Sequence, residues 1–229
     1  MVTNNTPSRQ LLHQIAGLPG DWHGAGSLGV DVLGRIAFHA GGDIPASAET
    51  GAGKSTLLLS HLSKRHTVFA LDWGESISAV RSSALFNSAN VQFIEGPTLK
   101  TLPAHVFAEE LQLVLIDGPH GYPFPDMEYW YFYPHIAKGG LLIIDDIHIP
   151  TIYNLFTFLK DEAMFDLLEV VGTTAIFRRT AAPLFDPYAD GWWLQGYNKK
   201  RFPATLRQKL IHLIPLSLQQ RLLRLLGRG

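Results

Sequence analysis

Two stretches, Leu111–Asp117 (LQLVLID) and Gly140–Asp146 (GLLIIDD), constrain the fold of this 229-residue chain more than any others: each is a nearly unbroken apolar run that ends in carboxylates. A half-solvated strand alternates polar and apolar residues, whereas a strand covered on both faces is apolar at successive positions. These runs therefore belong in the middle of a sheet with helices on both sides. Thr67–Leu71 and Val91–Glu95 read as further strands, interleaved with amphipathic stretches at Lys54–Lys64, Glu75–Phe86, Asp126–Ala137 and Thr151–Asp161. That alternation predicts an α/β fold, a parallel sheet with crossover helices. Phe165–Val171 and Thr173–Arg178 flank Gly172 closely enough to end the sheet as an antiparallel pair. The expected layout is a helical cap over residues 1–40, a ligand-binding domain over 41–182, and an aromatic linker with a basic amphipathic tail over 183–229.

The chain has no cysteine, which excludes disulfides, thiolate zinc sites, iron–sulfur clusters and cysteine nucleophiles. Any metal must be held by oxygen or imidazole. No run approaches the ~18 apolar residues of a membrane span, and the N-terminus lacks the features of a secretory signal, so a cytoplasmic protein is expected. The formal net charge of −1 conceals an asymmetry: residues 1–190 hold all 20 acids and 11 Lys+Arg, while residues 191–229 hold 8 Lys+Arg and no acid. An acidic body repels phosphate, so no nucleic-acid partner is expected. In residues 204–226, Leu210, Leu213, Leu218, Leu222 and Leu225 sit among Arg207, Lys209, Arg221 and Arg224. This pattern fits an amphipathic helix that docks on a partner chain, a second copy or an anionic membrane surface, or one that packs on its own domain.

The segment ETGAGKST, Glu49 to Thr56, is the strongest local signal. Its GKST resembles the end of a phosphate-binding loop, but the first glycine of GxxxxGK[ST] is replaced by Ala48. Glu49 would also bring a carboxylate toward a triphosphate, and Pro45–Ala48 reads as a poor buried strand. A dinucleotide loop would need a third glycine where Thr56 stands. What remains is an acid followed by GxG between a strand end and a helix start, a pattern that suits a nucleoside ligand without phosphates. Asp72 lies 19 residues after Gly53, near the ~20-residue spacing at which an acid reaches ribose hydroxyls. Each acid alone has an ordinary use, Glu49 as a helix cap and Asp72 in a turn. Their joint placement suggests S-adenosylmethionine.

Glu49-x-Gly51-x-Gly53, Asp72, and the strand-end Asp117 and Asp145 together resemble the class I S-adenosylmethionine-dependent methyltransferases, and the ETGxGxST form resembles a bacterial group of small members. The resemblance spans roughly residues 40–180 and rests on motif order and spacing. It implies a Rossmann-like, mostly parallel seven-stranded sheet of order 3-2-1-4-5-7-6 with helices on both faces. It also implies cofactor contacts from Glu49, Thr50, Gly51, Gly53, Ser55 and Thr56 on the loop, from Asp72 and Trp73 after the next strand, and from Asp117. Gly96 and Thr98 would lie near the adenine.

In an open parallel sheet, neighbouring strand ends face one crevice, so Asp117, Asp145 and Asp146 should converge there. Crowded carboxylates repel unless protonated or joined by a cation, and oxygen ligands favour Mg²⁺, Mn²⁺ or Ca²⁺. The 28-residue gap from Asp117 to Asp145 resembles that of the cation-dependent catechol and caffeoyl-CoA O-methyltransferases, with Asp-Asp here in place of their Asp-Asn. Those enzymes carry a general-base lysine three residues after the first metal Asp. Here that position is His120, a residue that titrates near neutrality, and His148 is a second candidate base or ligand. A lone strand-end histidine more often satisfies a backbone carbonyl; two beside three aspartates favour chemistry.

The expected function is methyl transfer from S-adenosylmethionine to a hydroxyl of a small molecule such as a sugar, phenol or natural-product intermediate. The alternatives are a nucleotide hydrolase using Lys54, and a catalytically silent methyltransferase-like binding module. Trp192, Trp193 and Tyr197 either cover a substrate pocket or simply pack, and Tyr129–Tyr133 reads as sheet-facing core.

Overall fold

Strands and helices alternate as the apolar patterning predicts, in a computed structural model that describes residues 6–20, 22–24, 26–185, 192–202 and 218. The strands are β1 (Ile44–Thr50), β2 (Ser63–Ala70), β3 (Val91–Glu95), β4 (Leu111–Ile116), β5 (Ile136–Ile144), β6 (Phe165–Val171) and β7 (Thr174–Arg179). They form one sheet in the order β3-β2-β1-β4-β5-β7-β6, the order implied by the resemblance. β1 to β5 run parallel, and β7 is antiparallel to β5 and to β6.

The helices are α1 (Thr6–Ala16), α2 (Val30–Ala40), α3 (Lys54–Leu62), α4 (Ser76–Ser82), α5 (Thr98–Ala104), α6 (Phe124–Phe132), α7 (Pro150–Asp161) and α8 (Gly196–Arg201). Successive side chains of a strand point to opposite faces, and the core divides accordingly. Leu113, Leu115, Leu141 and Ile143 pack with Ile15 of α1, Leu33 of α2 and Leu57 of α3. Val114, Ile116, Leu142 and Ile144 pack with Leu102 of α5, Phe132 of α6 and Leu155 of α7. The N-terminal helices thus share one core with the sheet. Tyr129 and Tyr133 are buried beside Phe132, and Trp130 is exposed, as helical spacing from a sheet-facing stripe requires.

Three boundaries differ from the patterning. Pro45–Ala48, read as a poor strand, lies in central β1, where Ala46, Ser47 and Ala48 are all buried. Its small residues leave room for bulky neighbours such as Phe69 and Phe132, so bulk arrives from the flanking elements rather than from the strand itself. β2 begins at Ser63 because it pairs with β1 from Ile44 onward. α6 ends at Phe132 because Pro134 cannot continue an α-helix, and Ile136 already pairs with Leu111 in the sheet.

Within the aromatic linker, the described residues 196–201 dock far from the strand ends that matter for function. Lys200 and Arg201 reach Asp161 at 2.6 and 2.7 Å, and the Tyr197 N–H donates to Glu162 at 2.9 Å, pinning α8 to the C-terminal end of α7. Twelve residues of helix span about 18 Å, so Tyr197 sits beside Phe158 at the opposite pole from the crevice and does not cover it. Residues 204–226, expected to form an amphipathic helix, lie outside the described residues apart from Leu218. No helix among the described residues is long and apolar enough to cross a membrane.

Phe132 is fully buried, with its ring 5.9 Å from those of Phe69 and Phe107. Phe132→Ala should lower stability by about 3–5 kcal/mol, read as a shifted urea midpoint at unchanged slope.

Candidate active site

The carboxyl ends of β1, β2, β4 and β5 form the crevice that parallel α/β sheets use for ligands. At its centre, β1 runs into the glycine loop. Gly51 has φ +85°, and a Cβ there would lie 2.4 Å from the carbonyl oxygen of Asp117, so loop and β4 terminus touch backbone to backbone. Gly53 has an extended backbone that any residue could adopt, but a Cβ there would meet His23 Nε2 at 3.0 Å. Gly24 N–H donates to the Gly74 carbonyl at 2.8 Å. Residues 22–24 therefore cross the crevice lip from the glycine loop to the loop after β2, a contact no short-range pattern reveals. Burial and the nearby Lys54 ammonium hold the His23 imidazole below its ordinary pKa.

Glu49 is fully buried, accepts the hydroxyl proton of Thr56, and lies 3.0 Å from His66 Nε2. Thr56 in turn accepts the Gly53 N–H at 3.0 Å, tying the loop to the first turn of α3. Ser55 and Lys54 are buried in that turn.

Asp72 takes the ordinary role as well as lying at the lip. Its carboxylate accepts the N–H groups of Ile77 and Ser78 at 2.8 and 3.1 Å and the Ser78 hydroxyl at 2.5 Å. The Ser78 hydroxyl, then its N–H, hold the Asp72 pKa below the usual value, keeping an exposed anion beside exposed Trp73. Gly96 has φ +142° after β3, and Thr98 is buried at the start of α5.

Glu128, on α6, was not singled out by the sequence. It is fully buried, and a Cβ on Gly118 would lie 2.5 Å from its Oε1. Thr50 accepts the Asp117 N–H at 3.1 Å and donates its own hydroxyl to Glu128 at 2.8 Å, so one threonine joins β1, β4 and α6. Burial pushes the Glu128 carboxyl up to about 7, against the pull of the Thr98 and Thr50 hydroxyls. Only its place in an apolar helical stripe, three residues before Tyr131 and four before Phe132, could have flagged it.

The acidic group assembles differently from the expected Asp117, Asp145 and Asp146. Ligand atoms of Asp117, His120 and Asp146 all lie within 4.8 Å of one another. His120 Nε2 is 3.1 Å from one oxygen of Asp146, and His148 Nδ1 is 3.6 Å from the other. Asp145 keeps strand register, its N–H on the Ile116 carbonyl, and its carboxylate accepts the Thr174 hydroxyl at 2.5 Å. Asp146 then adopts φ +53°, a left-handed conformation Asp tolerates, which swings its carboxylate toward the histidines. Burial, then repulsion from Asp145, Asp146, Glu49 and Glu128, raises the Asp117 pKa well above the usual carboxylate range.

Residues 48–147 match the family described as "Methyltransferase domain". Fold, loop and match agree. The chain carries a methyltransferase domain over these residues, on a Rossmann-like sheet. Among solved structures, the domain is similar to the O-methyltransferase TomG from Streptomyces achromogenes, in complex with SAM, at 16% identity and TM-score 0.56, covering 75% of this chain and 90% of that one. It is also similar to the O-methyltransferase from Bacillus cereus in complex with SAH, at 15% identity and TM-score 0.54, covering 79% of this chain and 93% of that one. At such identities the likeness speaks for the fold. No curated protein matches the chain by sequence. The nucleotide-hydrolase reading of GKST loses its support in the methyltransferase domain: Ala48 is inside β1, and Lys54 is buried in α3.

Glu128 generates a pH prediction. Its ordinary value is 4.5 and its folded value about 7, so between them the folded chain holds a proton that the unfolded chain has lost. Stability contributed by this site therefore falls as pH rises through that window. Glu128→Gln should match the native chain below the window and exceed it by about 2–3 kcal/mol at pH 8, measured by urea denaturation across pH.

Proposed function

We propose that the protein transfers the methyl group of S-adenosylmethionine to a hydroxyl of a small molecule, assisted by a divalent cation. The observation that carries this reading is the convergence of Asp117, His120 and Asp146 beside the Gly51 loop. The cofactor reading is supported by the close-packed glycine loop and by the Glu49 Oε2 atom, buried with no hydrogen-bond partner among the described residues. It is also supported by the anionic Asp72 at the lip and by neighbours whose structures contain SAM or SAH. The cation reading is supported by the two carboxylates of Asp117 and Asp146, oxygen donors in a region where burial and then neighbouring negative charge disfavour Asp117 ionisation, with the His120 imidazole at their side.

Bound there, a divalent cation supplies Lewis acidity that eases loss of the acceptor proton, and the cofactor supplies an electrophilic methyl. Asp117 and Asp146 would hold the positive charge. His120, with Nε2–H toward Asp146, takes the acceptor proton at Nδ1, and Asp146 stabilises the resulting imidazolium. The Gly51–Asp117 contact fixes donor loop and acidic turn at one separation, which supplies the alignment a methyl transfer needs.

Asp146→Ala should abolish cation-stimulated turnover on an acceptor panel while leaving S-adenosylhomocysteine affinity nearly intact, and His120→Ala should lower kcat by roughly 10²–10⁴-fold. Undiminished turnover after exhaustive chelation would remove the cation from the mechanism. Loss of metal affinity in His120→Ala would make His120 a ligand and pass the base role to His148. Turnover on no acceptor would leave the silent-module reading.

For the cofactor, calorimetry with S-adenosylhomocysteine should show Asp72→Ala weakening binding more than Lys54→Ala, because a ribose hydroxyl loses a charged acceptor. Tight ATP binding abolished by Lys54→Ala would restore the nucleotide-hydrolase reading.

A further inference from the structure

Glu49 is the end of a buried polar chain that the mechanism above leaves unused. Ser63 Oγ lies 2.6 Å from Ser47 Oγ, Ser47 Oγ lies 2.7 Å from His66 Nδ1, and His66 Nε2 lies 3.0 Å from Glu49 Oε1. All four side chains are buried. Strand geometry builds the chain: Ser47 and Glu49 are two residues apart on β1 and share a face, while Ser47 pairs with His66 in the parallel register. That face is otherwise apolar, packed by Leu57, Leu113 and Leu115.

With a neutral imidazole, one direction of these hydrogen bonds satisfies every group. Glu49 Oε1 receives two donors, the Thr56 hydroxyl and His66 Nε2–H. His66 Nδ1 is then an acceptor for the Ser47 hydroxyl, and Ser47 accepts from Ser63. In this arrangement the imidazole is neutral and Glu49 is an anion. Oε1 is saturated; Oε2 is buried without a partner, and no lysine or arginine among the described residues pairs with Glu49. A buried carboxylate in that state calls for a cationic donor.

We infer that His66, backed by Ser47 and Ser63, is a positioning residue that clamps Glu49 through Oε1 and reserves Oε2 for the α-ammonium group of the cofactor, directly or through one ordered water. This rests on the S-adenosylmethionine reading above. It assigns recognition of the amino-acid end of the ligand to a relay beneath the sheet surface. The adenosine end is left to other residues.

Two ligands separate the relay from general stability: S-adenosylhomocysteine, and 5′-methylthioadenosine, which keeps the adenosine and thioether but lacks the amino-acid end. Calorimetry on the full chain should show His66→Leu binding S-adenosylhomocysteine at least about tenfold more weakly, with 5′-methylthioadenosine changed by less than about threefold. His66→Gln, whose amide nitrogen donates to Glu49, should recover most of the lost affinity. Ser47→Ala should show the same ligand selectivity in smaller measure, and it carries the test if His66→Leu fails to fold. Equal losses for both ligands, or unchanged S-adenosylhomocysteine affinity, would overturn the relay while sparing the cofactor reading. A native chain that binds neither ligand would overturn both.

Discussion

The parallel pairing of β1 with β4 is the constraint on which the rest of the site depends. The register runs Ser47 to Leu113 through Thr50 to Ile116, and the next step along it is the contact between Gly51 and the Asp117 carbonyl. Neighbouring strands lie about 4.8 Å apart, so the cofactor loop and the acidic turn are held one strand spacing from each other by the sheet itself. Thr50 reinforces the join by taking the Asp117 N–H and handing its own proton to Glu128. Neither loop needs to be ordered by a ligand to acquire its separation from the other.

The acids around these strand ends meet their desolvation in two ways. Glu49 is stabilised by two donors on one oxygen, whereas Glu128 and Asp117 hold their protons above the usual carboxylate range, Asp117 with four other acids acting on it, so that a positive charge there would relieve it most. Together they make a field that favours cations in the crevice. In the proposed reaction the sulfonium donor becomes a neutral thioether. The same field that draws the donor in therefore holds the spent product less strongly.

Much of this was legible in the sequence. β3 and β6 fall on their expected bounds because short apolar runs with clear turn residues leave little choice of register. The buried strands β4 and β5 announced themselves by continuous Val, Leu and Ile, and the resemblance supplied the strand order that patterning could not. β1 was misjudged because a central strand can be made of Ala and Ser when its neighbours bring the bulk. His23, His66 and Glu128 were passed over for a common reason: each acquires its role from a partner 30 to 78 residues away or from a neighbouring strand, and none sits in a local motif. Asp145 stays among the acids that act on Asp117, but its carboxylate is taken by the Thr174 hydroxyl, and the group within ligand distance of Asp117 and Asp146 is completed by His120, three residues beyond the strand end.

The left-handed backbone at Asp146 restricts what could stand there. Apart from glycine, asparagine and aspartate are the side chains that adopt such a conformation most readily. Glycine would delete the ligand atom, so the exchange available without moving the main chain is between Asp and Asn, two residues of one shape and different charge. The turn after β5 is therefore a dial with two settings: at fixed geometry, the formal charge offered to whatever lies between Asp117 and His120 differs by one unit.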